Sequence, residues 1–175
     1  ITGDIFLAGW GAPDDWTPAA NMYTAGKWEA TGSRKSYAVG VTTDGTLRVI
    51  TASDGVTQVT TVSDTATGFT NGTLHGIAVA VDLSENTATF YTAPASDAFK
   101  PHNKVAWTQL GDAVTHTQSA IFDTRALITV GAIEDPVNTN EWAGRIMRAY
   151  AIASTDPTVA PAWDFDARAL TPGVT

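Results

Sequence analysis

Two aspartates near the C-terminus have the spacing of a catalytic or cation-binding pair. Asp164 and Asp166 flank Phe165, and the surrounding stretch alternates as a β-strand does. Side chains two positions apart on a strand point to one face of the sheet, so both carboxylates can meet the same ligand. One could act as an acid and the other as a base, but we favour a structural or cation-binding role for them.

The side chains needed for nucleophilic or zinc chemistry are scattered. The three histidines, His75, His102 and His116, lie far apart in the sequence, and the chain has no cysteine. It contains no Gly-x-Ser-x-Gly segment, the signature of a nucleophile elbow, and no spacing typical of a zinc site. The sequence therefore predicts a protein that is not an enzyme.

An oxygen-rich segment, residues 134–141, precedes Trp142. Carboxylates and amides are hard ligands for calcium, and they can also hydrogen-bond a sugar whose C–H groups pack on an aromatic ring. The ordered ligand spacing of an EF-hand is missing. The candidate calcium ligand is Asp135 and the candidate glycan-binding residues are Asn138, Asn140 and Trp142; the alternative is an ordinary solvated acidic loop.

A second irregular segment, residues 94–104, offers another set of polar and aromatic groups. Long loops on a rigid scaffold often carry function. The candidate glycan-binding residues here are Asp97, Phe99, His102 and Asn103. If Phe99 is exposed, this loop is a recognition rim; the alternative is that Phe99 anchors the loop to the edge of the scaffold.

The scaffold that positions these loops is predicted to consist of β-strands. Apolar and polar residues alternate in short runs, and Asp44-Gly45 and Asp54-Gly55 are strong hairpin signals between such runs. No helical period is visible. Predicted strands lie near residues 4–9, 21–29, 36–42, 46–52, 57–62, 74–82, 87–92, 104–109, 118–122, 127–130, 145–152 and 162–168.

Composition limits the possible partners. The 175 residues include 10 Lys and Arg against 18 Asp and Glu, a formal net charge of −8. Nucleic acids and anionic membranes are bound by clustered cations, so we expect neither partner. No apolar run of about 18 residues predicts a membrane span, and no leader is visible. We predict one domain over residues 1–168 and a C-terminal tail over 169–175; a chain beginning at Ile1 is typical of a piece of a longer polypeptide.

Ten short segments occur in an order and spacing that resemble a known family. They are residues 2–5 (TGDI), 15–18 (DWTP), 26–28 (GKW), 36–37 (SY), 44–47 (DGTL), 72–75 (GTLH), 89–91 (TFY), 107–111 (WTQLG), 130–131 (VG) and 143–146 (AGRI). Together they resemble the concanavalin A-like lectin/glucanase domain, in its laminin G-like form, as carried by minor tail proteins of phages that infect actinobacteria.

The resemblance implies an all-β, two-sheet antiparallel jelly-roll sandwich whose concave face and loop rim bind glycans. It also implies one calcium ion, which Asp4 together with Asp164 or Asp166 could hold where the first and last strands meet. Glucanases of this fold carry a Glu-x-Asp-x-(x)-Glu strand. The glutamates of this chain do not fit that pattern; they are Glu29, Glu85, Glu134 and Glu141.

The function expected from these observations is non-enzymatic adhesion. The resemblance implies a virion domain of the minor tail or fibre type, present in several copies on the phage surface and binding host cell-surface polysaccharide outside the cell. One alternative is a structural module that binds only other virion proteins, on a tail or a capsid. A second alternative is a polysaccharide hydrolase or lyase.

Overall fold

Two antiparallel sheets form the molecule, as a computed structural model of residues 1–133 and 141–170 shows. The fold class predicted from the alternation is confirmed. The strands are β1 (Ile5–Pro13), β2 (Met22–Glu29), β3 (Arg34–Val41), β4 (Thr46–Ala52), β5 (Gln58–Ala66), β6 (His75–Asp82), β7 (Thr87–Pro94), β8 (Thr108–Gln109), β9 (Val114–Thr115), β10 (Ile128–Val130), β11 (Gly144–Ile152) and β12 (Trp163–Asp166).

Strand order places sequence-distant strands side by side. The seven-stranded sheet runs β12-β11-β1-β6-β7-β8, with β9 also paired to β7, and the five-stranded sheet runs β10-β2-β3-β4-β5. The first strand, β1, lies between β6 and β11 and is antiparallel to both. Tight turns join β2 to β3, β4 to β5 and β6 to β7, and these three turns lie at one end of the sandwich, which we call the hairpin end.

The main core fills the space between the sheets. On β1 the alternation sends Ile5 and Leu7 inward, where they pack against Val39 and Val49 of the facing sheet. Each of these four side chains is at most 1% exposed. Burial of aliphatic side chains at about 25 cal/mol per Å² of apolar surface is the dominant stabilising contribution in such a sandwich.

The outer face of the seven-stranded sheet is also buried. Phe6 and Trp10 point away from the main core and pack against residues of the chain between β7 and β8, among them Phe99 and Trp107. Two short 3₁₀ helices, Ala95–Asp97 and His102–Lys104, lie in that connection. We call residues 95–107 the covering loop, because they shield this face from solvent.

The outer face of the five-stranded sheet carries a smaller apolar cluster. Tyr23, Trp28 and Ile50 are buried there together with Ile133. The guanidinium of Arg48 lies over the ring of Tyr23, 5.1 Å from its centroid. Among the described residues, no helix has the length and hydrophobicity needed to cross a membrane.

Candidate functional site

An irregular segment, residues 116–127, crosses the hairpin end from one sheet to the other. Sequence alternation predicts a strand over residues 118–122, but the structure has none there. The backbone of this segment bonds to several different elements instead of to one neighbouring strand: Ile121 donates to the carbonyl of Thr2, and Phe122 donates to that of Ala52, at 3.2 and 2.8 Å. We call it the crossing segment.

A buried histidine fixes the start of the crossing segment. His116 is 0% exposed, and its Nε2 and Nδ1 lie 3.1 and 2.9 Å from the hydroxyls of Thr51 and Thr61. Burial lowers the pKa of His116 below its ordinary value. The neutral imidazole therefore joins the segment to β4 and β5.

The middle of the crossing segment presents a half-buried aromatic ring. The amide of Phe122 donates to Ala52, and its carbonyl accepts a 2.7 Å bond from the buried hydroxyl of Ser36. One side of the ring contacts Gly55 in the β4–β5 turn. The two bonds hold the backbone at Phe122 in place, and the contact with Gly55 restricts the ring on one side.

A cavity of ≈ 220 Å³ opens beside this ring. One wall comes from the β2–β3 turn and the other from the crossing segment. The lining residues are Ser33, Arg34, Phe122, Asp123, Thr124 and Arg125. Pockets for drug-sized ligands measure roughly 300–1,000 Å³, so the space suits a single ring better than a long segment.

Charged groups surround the cavity in a defined pattern. Asp123 accepts from Lys27 at 3.3 Å, and Arg34 pairs with Glu29 at 2.9 Å through one terminal nitrogen. Arg125 is exposed and has no ion pair or hydrogen bond within residues 1–133 and 141–170. The cavity thus contains one carboxylate held by a lysine and two guanidinium groups with free donors.

This arrangement has the chemistry that a sugar requires. The Phe122 ring can pack against the C–H groups of a pyranose, Asp123 can accept from its hydroxyls, and the guanidinium groups can donate to its oxygens. An apolar surface with a few fixed polar groups is the usual composition of a small-ligand site.

The glycan-binding residues predicted in segment 94–104 lie in the covering loop and do not line the cavity. Asp97 is 1% exposed and accepts bonds from the amide of Ala106 and the ammonium of Lys100 at 2.8 and 2.6 Å. The hydrogen bond from the amide of Ala106 makes the largest contribution to lowering the pKa of Asp97, and the bond from Lys100 makes the next largest. Phe99 packs on the outer face of the seven-stranded sheet. Its position is therefore that of a residue that anchors the loop, the alternative to an exposed recognition residue.

His102 and Asn103 occupy the second 3₁₀ helix of the covering loop. His102 is half-buried, with its ring 6.5 Å from that of Tyr150, and Asn103 is exposed. These two residues and Phe99 form no common cavity with the Phe122 ring.

Trp142 lies in an aromatic cluster at the other end of the sandwich, where the β3–β4 turn also lies. It is 7% exposed, and its ring meets that of Trp16 edge-on at 5.8 Å. Phe69 and His75 stack at 3.7 Å in the same cluster. The candidates Asp135, Asn138 and Asn140 lie outside the described residues.

The metal-ligand candidates that the structure describes are bound to protein groups. Asp164 pairs with Arg148 through two bonds of 3.1 and 2.7 Å, and Asp166 pairs with Arg168. Asp4 accepts from the amide of Leu83. Over residues 1–133 and 141–170, no three acidic, histidine or cysteine side chains come together as a metal site.

The residues of the cavity were missed by the sequence analysis, which assigned residues 118–122 to a strand. Their sequence, Phe122-Asp123-Thr124-Arg125, combines an aromatic ring with polar groups, as the two favoured loops also do. Only the folded structure distinguishes this segment from the two loops, because it brings Ser33 and Arg34, which are distant in sequence, to the same cavity.

Comparison with known proteins identifies the architecture. No protein-family model matches the chain, and no curated protein matches it. A proposed carbohydrate binding protein from Bacteroides ovatus superposes with a TM-score of 0.60 at 7% identity, over 94% of this chain and 45% of the other. This chain thus spans less than half of that protein.

Two further solved structures have the same architecture. A heptameric SAP-like pentraxin from Limulus polyphemus gives a TM-score of 0.55 at 9% identity, over 90% of this chain and 68% of the pentraxin. The CBM40 of a Ruminococcus gnavus sialidase, solved with α2,3-sialyllactose, gives 0.52 at 12% identity, over 89% and 76%. Such identities establish the fold alone: the chain is a two-sheet jelly-roll sandwich of the concanavalin A-like kind.

Proposed function

We propose that this domain binds a glycan at the hairpin end without chemically changing it. The observation that carries the proposal is the Phe122 ring, on a backbone held by two bonds, beside an open cavity with Asp123 and two arginines. Carbohydrate recognition by proteins of this architecture adds support, since one of the solved structures described above contains a bound sialyllactose.

Binding at one site would be weak. A cavity of ≈ 220 Å³ with one aromatic wall contacts a single sugar residue, and a ring-on-sugar contact leaves much of the ligand in water. Several copies on one particle would raise the apparent affinity through effective concentration, by as much as about 10²–10⁴.

The setting that we propose is the surface of a phage particle, in a tail or fibre protein that attaches to host cell-surface polysaccharide. This part of the proposal is supported by the ten sequence segments that resemble minor tail proteins. Calcium would act only as an accessory ion, so binding should be measured both with calcium and with a chelator.

The test is retention of a streptavidin-linked, multivalent form of the chain on fractionated actinobacterial cell-wall polysaccharides. We expect the wild type to be retained and Phe122→Ala to be lost from the column, with the eluted sugar chains unchanged in length. Phe69→Ala is the matched control, since Phe69 is a half-buried ring at the opposite end. Thermal melts establish that each variant is folded.

Three results would contradict the proposal. The first is wild-type protein that fails to bind any fraction in the multivalent form. The second is equal retention of Phe122→Ala and Phe69→Ala, which would show that the cavity is not the binding site. The third is shortening of the polysaccharide, which would establish turnover.

A second candidate function is contact with another virion protein. Leu127 is 81% exposed and Ile128 44%, and they are neighbours at the free edge of β10. Exposed apolar side chains on an edge strand favour protein association. Co-purification with virion proteins that Leu127→Lys abolishes would support this function, and retention of the variant in the particle would oppose it.

A further inference from the structure

The charges around the cavity identify the class of glycan that fits it. Two guanidinium groups, Arg34 and Arg125, line the cavity with one carboxylate, Asp123. Lys27 pairs with Asp123, and Glu29 pairs with Arg34. The protein as a whole carries a net charge of −8. The lining nevertheless has one cation in excess of its carboxylates, and an excess of positive charge at a cavity favours a ligand that supplies negative charge.

Arg125 is the least constrained of these cations. It is exposed, lines the cavity, and has no ion pair or hydrogen bond in the described part of the chain. Its fork of five donors therefore has no acceptor among the described residues and can bind an outside one.

Arg34 supplies a second donor group in a more fixed position. Its pair with Glu29 uses Nη1, and the side chain of Arg34 remains 49% exposed. A guanidinium that is already held by one carboxylate loses less freedom on binding a ligand than a free side chain would.

The carboxylate in the cavity does not oppose an anion strongly. Asp123 accepts from Lys27 at 3.3 Å and is 67% exposed, so a lysine and solvent both reduce its field. The Phe122 ring beside these groups supplies the apolar surface for the rest of the ligand.

We infer that the ligand of this cavity is an acidic sugar residue, whose carboxylate accepts from Arg125 and Arg34 while its ring packs on Phe122. The inference rests on the proposed glycan binding and names its ligand class. Charge-assisted hydrogen bonds to a carboxylate are about twice as strong as neutral ones, so the acidic form of a sugar should be preferred to its neutral form.

The experiment compares matched polysaccharides that differ only in charge. Alginate, hyaluronan and polygalacturonate are immobilised beside their carboxyl-reduced products, and the multivalent wild type is passed over each. We expect retention on at least one acidic polymer, loss of retention on its reduced product, and weaker retention as salt is raised.

Variants distinguish a specific site from general attraction to a polyanion. Arg125→Gln should weaken binding to the acidic polymer by roughly threefold to tenfold. Arg145→Gln, which removes the same charge from an exposed position at the opposite end, should leave binding unchanged.

The remaining outcomes show which of the two proposals fails. Equal retention on acidic and reduced polymers, with loss in Phe122→Ala, would overturn the acidic-sugar inference and keep glycan binding. Binding only to neutral cell-wall fractions would do the same. Equal weakening in Arg125→Gln and Arg145→Gln would reduce the effect to net charge and overturn the inference. Failure to bind any polysaccharide would overturn both proposals.

Discussion

Gly55 connects a sequence signal for a turn to the geometry of the cavity. Its φ of +80° lies in the left-handed region, as the Asp-Gly hairpin signal predicts. A Cβ at this position would lie 2.3 Å from the carbonyl of Ser33 and 2.8 Å from the ring of Phe122. Because glycine has no side chain, both the Phe122 ring and the β2–β3 turn can pack against the backbone at this position.

Gly55→Ala should destabilise the protein and displace Phe122. We expect a loss of about 1–3 kcal/mol from the strained backbone and the clash, with weakened glycan retention. Gly68→Ala is the control, because Gly68 also has a positive φ of 63° but no atom lies within 4 Å of the added Cβ. Urea unfolding of both variants measures the difference, and equal losses would show that the contact with Phe122 is unimportant.

The covering loop shows how one buried acid organises an element without regular strands. The Asp97 carboxylate bonds the amide of Ala106, nine residues along the chain, and the ammonium of Lys100. This closes residues 97–106 into a compact unit. Phe99 and Trp107 are thereby held against the sheet, where Trp107 lies 5.0 Å from Trp10.

Asp97→Asn should loosen the covering loop. Asparagine keeps the size of the side chain but has one acceptor oxygen where the carboxylate has two. It cannot accept from both Ala106 and Lys100, and the ion pair is lost, so we expect destabilisation by about 1–3 kcal/mol. Asp123→Asn, at an acid that is 67% exposed in its pair with Lys27, should cost no more than about 1 kcal/mol. Urea unfolding gives both values, and near-equal costs would contradict an organising role for Asp97.

Elements with regular alternation could be predicted from the sequence, and irregular ones could not. β4 was predicted with its observed bounds, and β2, β3, β6 and β11 within two residues at each end. Apolar residues alternate with polar or small ones along these strands, so the local periodicity is enough to predict them. The crossing segment resembles a strand locally, but its amide bonds go to Thr2 and Ala52, partners that only the tertiary fold brings near.

The candidate site was predictable only in its chemistry. The sequence analysis looked for aromatic rings beside oxygen-bearing side chains. Phe99 has that composition but lies against the sheet, under the guanidinium of Arg168 at 4.1 Å. Exposure decides between such rings. It depends on which surface each loop covers, and that is a property of the assembled sandwich.

At the scale of the whole molecule, several acidic residues in the described part of the chain close turns. Five exposed or half-buried aspartates accept bonds from amides or hydroxyls two or three residues ahead or, in one case, behind them, and these bonds lower the pKa of each; they are Asp15, Asp44, Asp54, Asp82 and Asp156. The main partners are the amides of Thr17, Val56, Glu85 and Thr158 and, for Asp44, the hydroxyl of Thr42. The negative charge of the protein is therefore partly a consequence of its many turns.

The stability of the protein should fall in acid as these turns lose their charge. A carboxyl whose pKa is lower in the folded state stabilises the fold above its ordinary value of 3.8 and loses that effect as the pH falls below it. We expect the melting temperature to decrease between about pH 4 and pH 2. Asp54→Asn should reduce this dependence, because the amide oxygen still accepts but does not titrate.

The control for acid sensitivity is Asp14→Asn. Asp14 is exposed, and its side chain makes no hydrogen bond within residues 1–133 and 141–170. Its replacement should leave the pH dependence of melting as in the wild type. A melting temperature that is constant down to pH 2, or equal effects of both substitutions, would show that the turn bonds contribute little.

The position of β1 between β6 and β11 has a consequence for the order of folding. Phe6 pairs with Ala80 on one side and with Ile152 on the other, so β1 finds its second neighbour only after all the strands from β2 to β10 have been made. Such long-range pairing slows folding, because loop closure must precede the contacts that reward it. During synthesis β1 retains an unpaired edge until β11 emerges, and this interval is when the nascent chain is most exposed to pairing with the wrong strand.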